Sequence, residues 1–318
     1  MGLWLTRIKN PVLAHFWRTG LRSDSLAKLG GMSRKLRAPP AFRRMSDTAQ
    51  NSVNRWHWTR VPVERIGESV LRFVQEIGEL VLLAGRCLVW LFKPPFRARL
   101  FVQQSEFVGV GSLFIVLLTG LFAGLVFALQ SAYAFSKFNA ESLVGATVVI
   151  SMCRELGPVL TALMVTGRSG SAMATELGTM RVTEQIDALE TFGISPIQYL
   201  VLPRVFALII MMPLLTMLFN YVGYLGAYVV SVGQAGINEG TFLGRIYRMV
   251  ELNDLLGGLG KAAVFGCIIG LIACHKGMNA SGGSRGVGLA ATTTVVTASI
   301  GILISDYFLT TLLLMVTP

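Results

Sequence analysis

The chain of 318 residues is 53% hydrophobic and 14% charged, with a mean hydropathy of +0.61. Soluble domains carry about 25% charged residues, so a water-soluble globule is excluded and the bilayer must act as part of the solvent. The net charge of +11 resides in the N-terminal third, because residues 1–104 hold 18 of the 28 Lys and Arg and 6 of the 17 acids; such basicity suits the cytoplasmic face of a membrane, and no nucleic-acid partner is expected.

Residues 1–60 are Arg-rich and irregular, with Gly30-Gly31 and Pro39-Pro40 as breakers. They read as a solvated tail, as an upstream extension before a start at Met45, or as an acid-poor targeting peptide. Residues 61–93 alternate as an amphipathic helix: Val63, Ile66, Val70, Phe73, Val74 and Ile77 share one face against Glu64, Arg65, Glu68, Arg72, Glu76 and Glu79. The apolar run Leu80–Phe92 is too short to span, and Pro94-Pro95 ends it, so a helix lying in the membrane interface is expected.

Five spans follow, at Gly109–Phe135, Leu143–Gly167, Val201–Val232, Leu255–Cys274 and Leu289–Val316, with Pro213 able to kink the third. An N-terminus on the inside then puts the C-terminus outside, and Lys276 and Arg285 fall in an inside loop. Gly120-x-x-x-Gly124 and Gly266-x-x-x-Gly270 permit close helix approach, either within one subunit or across a dimer seam. Met211-Met212-Pro213 reads as ordinary packing or as a surface adapting to acyl chains.

The second span carries Arg154 and Glu155 together. A charge at mid-bilayer costs about 2.5–3.5 kcal/mol unless it is paired or wetted. Adjacent helical residues diverge by about 100°, so both need partners on other helices. Opposite signs pair Glu155 with Lys261 of the fourth span and Arg154 with Asp306 of the fifth. These charges either lock the helices together or line a polar cavity for a lipid head group. Pro158 frees a backbone carbonyl and bends the span, which can open that cavity beside Glu155.

The inside loop begins at Gly167-Arg168-Ser169-Gly170-Ser171. A short amphipathic helix is expected over 176–193: Val182, Ile186 and Leu189 on one face, Glu184, Asp187 and Glu190 on another, Glu176 and Arg181 on its first turns, Gly193 as C-cap and Pro196 beyond. It is either a solvated connector or a docking helix for a soluble partner.

No motif for energy coupling is present. Gly257-Gly258-Leu259-Gly260-Lys261 lacks the spacing of a phosphate-binding loop and is followed by Ala262. His15, His57 and His275 are scattered, and Cys87, Cys153, Cys267 and Cys274 read as small buried hydrophobes. Neither a metal site, a cofactor nor a nucleophile–base set is expected, so the chain is read as no enzyme, and any nucleotide must be bound by another chain.

Three runs resemble the MlaE (YrbE) permease family: Arg154-Glu155-Leu156-Gly157-Pro158-Val159-Leu160, Gly167-Arg168-Ser169-Gly170-Ser171-Ala172, and Glu176-Leu177-Gly178-Thr179-Met180-Arg181 continuing through Leu189. Pro203-Arg204, Lys261 to Phe265, Gly286-Val287-Gly288 and Asp306-Tyr307-Phe308 extend the likeness over residues 62–316. The resemblance implies a homodimeric permease, with an ABC ATPase subunit gripping the 176–193 helix and an MCE-domain substrate-binding protein on the outer side. It implies phospholipid as the substrate, and the cell inner membrane or an organelle inner envelope membrane as the location. It also raises a functional role for Arg154, Glu155, Lys261 and Asp306.

The expectation is therefore an all-α integral membrane protein: a tail over 1–60, interfacial amphipathic helices over 61–107, and a permease transmembrane domain of about five spans over 108–318. Rival readings are an ion-coupled secondary transporter, which would show internal repeats, a membrane scaffold, and a lipid enzyme.

Overall fold

The computed structural model describes residues 71, 74–90 and 97–316. The expected tail over 1–60, most of the expected amphipathic face before residue 74, and Pro94-Pro95 lie outside the described residues.

Among the described residues every regular element is helical. Helix α1 covers residues 74–90. Five long apolar helices follow: α2 (Ala98–Ser136), α3 (Glu141–Val182), α5 (Ile197–Gln234), α7 (Leu252–Met278) and α8 (Gly283–Val316). Two short helices join them, α4 (Gln185–Thr191) at one end of the bundle and α6 (Glu239–Met249) at the other. The five expected spans are present, each longer than its apolar run. Helix α2 begins at Ala98, so the boundary drawn at 107/108 falls inside a continuous helix.

Small residues set the packing. A Cβ at Gly124 of α2 would lie 2.0 Å from the carbonyl oxygen of Gly223 in α5, and one at Gly266 of α7 would lie 2.5 Å from that of Leu208 in α5. Both small-residue motifs therefore seat helices within this one chain. Met212 is fully buried and Met211 lies on Gly109, which is ordinary packing.

Two expectations about the loop after the second span need correction. Helix α3 runs unbroken from Glu141 to Val182, past the Gly167 at which the span was expected to end. Gly167–Ser171 reads as a breaker, but there the backbone takes a π-helical turn over Thr166–Gly170, and Ser171 donates to the Gly167 carbonyl at 2.5 Å. Beyond it Ala174 and Leu177 pack on Gly277 of α7, and this burial outweighs weak helix propensity. The helix expected over 176–193 is accordingly split. Glu176, Arg181 and Val182 belong to α3, Glu184 breaks the chain with φ +61°, and α4 follows. Gly193 does close α4, with φ +73° and the Ile194 N–H donating to Leu189 O at 3.0 Å.

At the opposite end Asn238 caps α6 by accepting from Thr241 N, and Phe242 is fully buried against Gly145 and edge-on to Tyr228. Helix α7 starts in a reciprocal cap between Glu251 and Asp254.

Candidate functional site: an ion cluster between three spans

The site begins with a missing hydrogen-bond donor. Pro158 has no N–H, so the carbonyl of Arg154, four residues earlier, loses its helical partner. The backbone widens into a π-helical turn over Met152–Leu156, closed by Gly157 N–H donating to Met152 O. Such turns recur at functional sites. The freed Arg154 carbonyl accepts from Nζ of Lys261 on α7, at 3.0 Å.

Lys261 is only 3% exposed. Its ammonium also donates to Glu155 Oε1 at 2.8 Å, Asp306 Oδ1 at 3.2 Å and Thr310 Oγ1 at 2.7 Å. Thr310 in turn lies 3.1 Å from Glu155 Oε1 and back-bonds to the Asp306 carbonyl at 2.8 Å. One buried cation thus joins α3, α7 and α8. The carboxylates stay wetter: the Glu155 side chain is 39% exposed and that of Asp306 20%.

The Glu155–Lys261 pair has the partners expected from charge sign; the expected Arg154–Asp306 pair does not form. Arg154 instead contacts Asp254, with Nε and Nη2 both 2.5 Å from Oδ1. Asp254 lies seven residues before Lys261, two helical turns away on the same face of α7. It is nearly buried, and its other oxygen accepts from Glu251 N at 3.0 Å. One carboxylate therefore caps α7 and fixes Arg154, while Asp306 is left to Lys261. The close approach depends on Gly258, where a Cβ would sit 1.9 Å from the Cys153 carbonyl. Of the glycines around Lys261, Gly258 thus serves helix contact, while Gly260 faces open space.

Beside this cluster lies a cavity of about 170 Å³, lined by Arg154, Glu155, Asp254, Lys261, Thr310 and Leu313 among others. Two cations and two carboxylates line it, and Asp306 bonds to Lys261 alongside. The arrangement can hold and orient a polar group inside the apolar belt.

The expected coupling residues lie at the α4 end and do not form one face. Glu176 pairs with the buried Arg204 of α5 at 2.9 Å, and Arg181 pairs with Asp187 across the α3–α4 break. Ile186 is 2% exposed and packs in one cluster with Leu177, Leu200, Val201 and Val205, with Leu189 against it. The apolar face of α4 is therefore filled by this chain's own bundle. Val182 is half-buried, and Glu184, Asp187, Glu190 and Phe192 (80% exposed) point outward.

Helix α1 is tied to the same end. Glu79 lies 2.9 Å from Nε2 of His275, and Glu76 lies 2.9 Å from Nζ of Lys276. The hydrogen bond to His275, then that to Gln75, holds the Glu79 carboxyl below its ordinary range.

Sequence reasoning missed Asp254, Thr310, Arg204 and the Glu79–His275 pair. For Asp254 the signal was present: an acid at a helix start, seven residues before an intramembrane lysine.

Residues 101–312 match the family described as permease MlaE. A probable ABC transporter permease protein of Rickettsia bellii is 44% identical over 247 residues, covering 78% of this chain and 95% of that protein. The intermembrane phospholipid transport system permease protein MlaE of Haemophilus influenzae is 37% identical over 254 residues, covering 79% and 97%. The chloroplastic protein TRIGALACTOSYLDIACYLGLYCEROL 1 of Arabidopsis thaliana is 36% identical over 228 residues, covering 72% and 65%.

Proposed function

This chain belongs to the MlaE permease family, and from that premise we propose that it moves phospholipid as the membrane subunit of an ABC-type transporter whose ATP is hydrolysed by a separate subunit. The observation that carries the reading is the Lys261 cluster. It combines a buried cation with half-exposed Arg154 and Glu155, beside a cavity, inside helices long and apolar enough to cross a bilayer. Intramembrane charge of that kind marks a pathway for polar cargo. Arg154 and Glu155 meet the lipid head group in this reading; Asp254 holds Arg154, and Lys261, itself paired with Asp306, holds Glu155.

The basic N-terminal third, with Lys276 and Arg285, favours the α4 end on the cytoplasmic side. The ATPase subunit then docks on the outward surface of α4, through Glu184, Asp187, Glu190 and Phe192. Ile186 and Leu189 transmit its movement into the bundle they pack against. Glu176, Arg181 and Val182 stiffen the end of α3 above that contact. The cavity, lined in part by Leu313 and Leu314, belongs to the α6 half of the membrane in this reading; a second copy of the chain closes it, and an MCE-domain protein receives or delivers lipid there. The location in this reading is the cell inner membrane, with the inner envelope membrane of an organelle as the alternative; one relative is chloroplastic.

Reconstitution with the ATPase subunit in vesicles tests this. ATP-dependent movement of a fluorescent phospholipid is expected, and movement indifferent to ATP would overturn the reading.

A further inference from the structure

Helix α3 carries three arginines, and two of them have carboxylate partners: Arg154 has Asp254 and Arg181 has Asp187. The third, Arg168, has none among the described residues. Its guanidinium is nevertheless held in place. Nη1 donates to the Phe107 carbonyl at 3.1 Å and lies 3.5 and 3.4 Å from the hydroxyls of Ser112 and Ser169. Those two hydroxyls are fully buried and 2.9 Å apart. The Phe107 ring lies 5.5 Å from the guanidinium carbon. Gly111 makes the seat, since a Cβ there would fall 2.0 Å from Nη1 and 2.4 Å from Cζ.

All of these bonds engage one nitrogen, and the residue is exposed, so Nη2 and Nε keep their donors for something else. The level is telling. The apolar runs of α2 and α3 end at Gly109 and Gly167, so Arg168 lies where a bilayer passes from hydrocarbon to phosphate. From there an exposed apolar stripe, Val110, Phe114 and Leu118, runs along α2 into the hydrocarbon at helical four-residue spacing.

We propose that Arg168, seated on Gly111, binds the phosphate of a phospholipid from the leaflet at the α4 end, with an acyl chain lying along Val110, Phe114 and Leu118. A planar guanidinium whose Nε–Nη2 edge is free is suited to phosphate. This site is separate from the Lys261 cluster: Arg168 lies thirteen residues beyond Glu155 on α3, about 20 Å along the helix. It stands on membrane embedding and needs no transport. Normal lipid binding without ATP-driven movement would sink the proposed function and leave this site intact.

The test uses the full chain in phosphatidylcholine vesicles containing a phosphatidylglycerol probe with a photoreactive acyl chain. Labelling of the peptide holding Val110 and Phe114 is the readout. Arg168→Gln should cut labelling roughly tenfold, the scale of a lost charge-assisted contact. Gly111→Val should do the same while keeping the charge, because it evicts the guanidinium from its seat. A diacylglycerol probe, which has no phosphate, should label the unaltered protein poorly, an arm that needs no variant. Equal labelling by both probes, or no change in Arg168→Gln, would overturn the proposal. So would loss of labelling on adding inorganic phosphate, which would mark a site for a soluble anion.

Discussion

The two ends of the bundle handle buried charge in opposite ways. Toward α6 one ammonium is shared among three helices, and its carboxylates remain half wet beside a cavity. Toward α4 three cations have one carboxylate apiece: Arg204 with Glu176, Arg181 with Asp187, Lys276 with Glu76. For Arg204 and Lys276 the exposure is one-sided, the acid in solvent and the cation against the protein, whereas Arg181 and Asp187 are both part-exposed. The contrast separates a network, whose members cannot be removed singly, from a set of clamps that can. A network in the apolar belt presents several polar groups to a guest; a set of clamps only fixes helix ends.

Variants should fall in an order set by that difference. Lys261→Met strands Glu155 and Asp306 beside one another, and breaking a buried pair by removing one partner costs about 3–5 kcal/mol. Thermal unfolding in detergent should show the loss. Adding Glu155→Gln and Asp306→Asn should restore much of the stability without restoring lipid movement; recovery of both would reduce the cluster to scaffold.

Arg204→Met should cost less, about 1–2 kcal/mol, because Glu176 is 51% exposed and water takes over its charge. A loss as large as that of Lys261→Met would erase the distinction between the ends. Glu190→Lys with Phe192→Ser should shift stability by no more than about 0.5 kcal/mol, as exposed positions do. The same pair should release the ATPase subunit in a pull-down, and retained binding would move the docking surface elsewhere.

The smallest effect concerns pH. The folded Glu79 carboxyl titrates below its ordinary value of 4.5, so its bond to His275 is fully present at neutral pH. It is lost as pH falls through the lowered value. Lys276 and Gln75 face the same carboxyl and favour the same charged form. Amide exchange in α1 should therefore quicken only under acid conditions, and Glu79→Gln should flatten that dependence.

The spans themselves were legible, since long apolar runs have no other home. Charge sign found Glu155–Lys261, because few ions lie in those runs. It failed for Arg154, whose partner Asp254 lies just before the expected fourth span and reads as a loop acid. The continuity of α3 was also hidden. Gly167–Ser171 has the composition of a break, and only the neighbouring α7, seen in three dimensions, makes those small residues an asset. The direction of α4 was ambiguous for a related reason: Ile186 and Leu189 announce a buried face without saying which molecule buries it.

The carbonyl left vacant by Pro158 has a lasting effect on Lys261. Of the ammonium's four acceptors, a backbone oxygen is the one that never titrates and never swings away. The lysine is thus moored to the chain's own spine, and its grip on side chains is free to be exchanged. On the proposed function, a head group that drew Glu155 aside would leave the cation where it is. The proline and the lysine form one thermodynamic unit, so their single substitutions will not add.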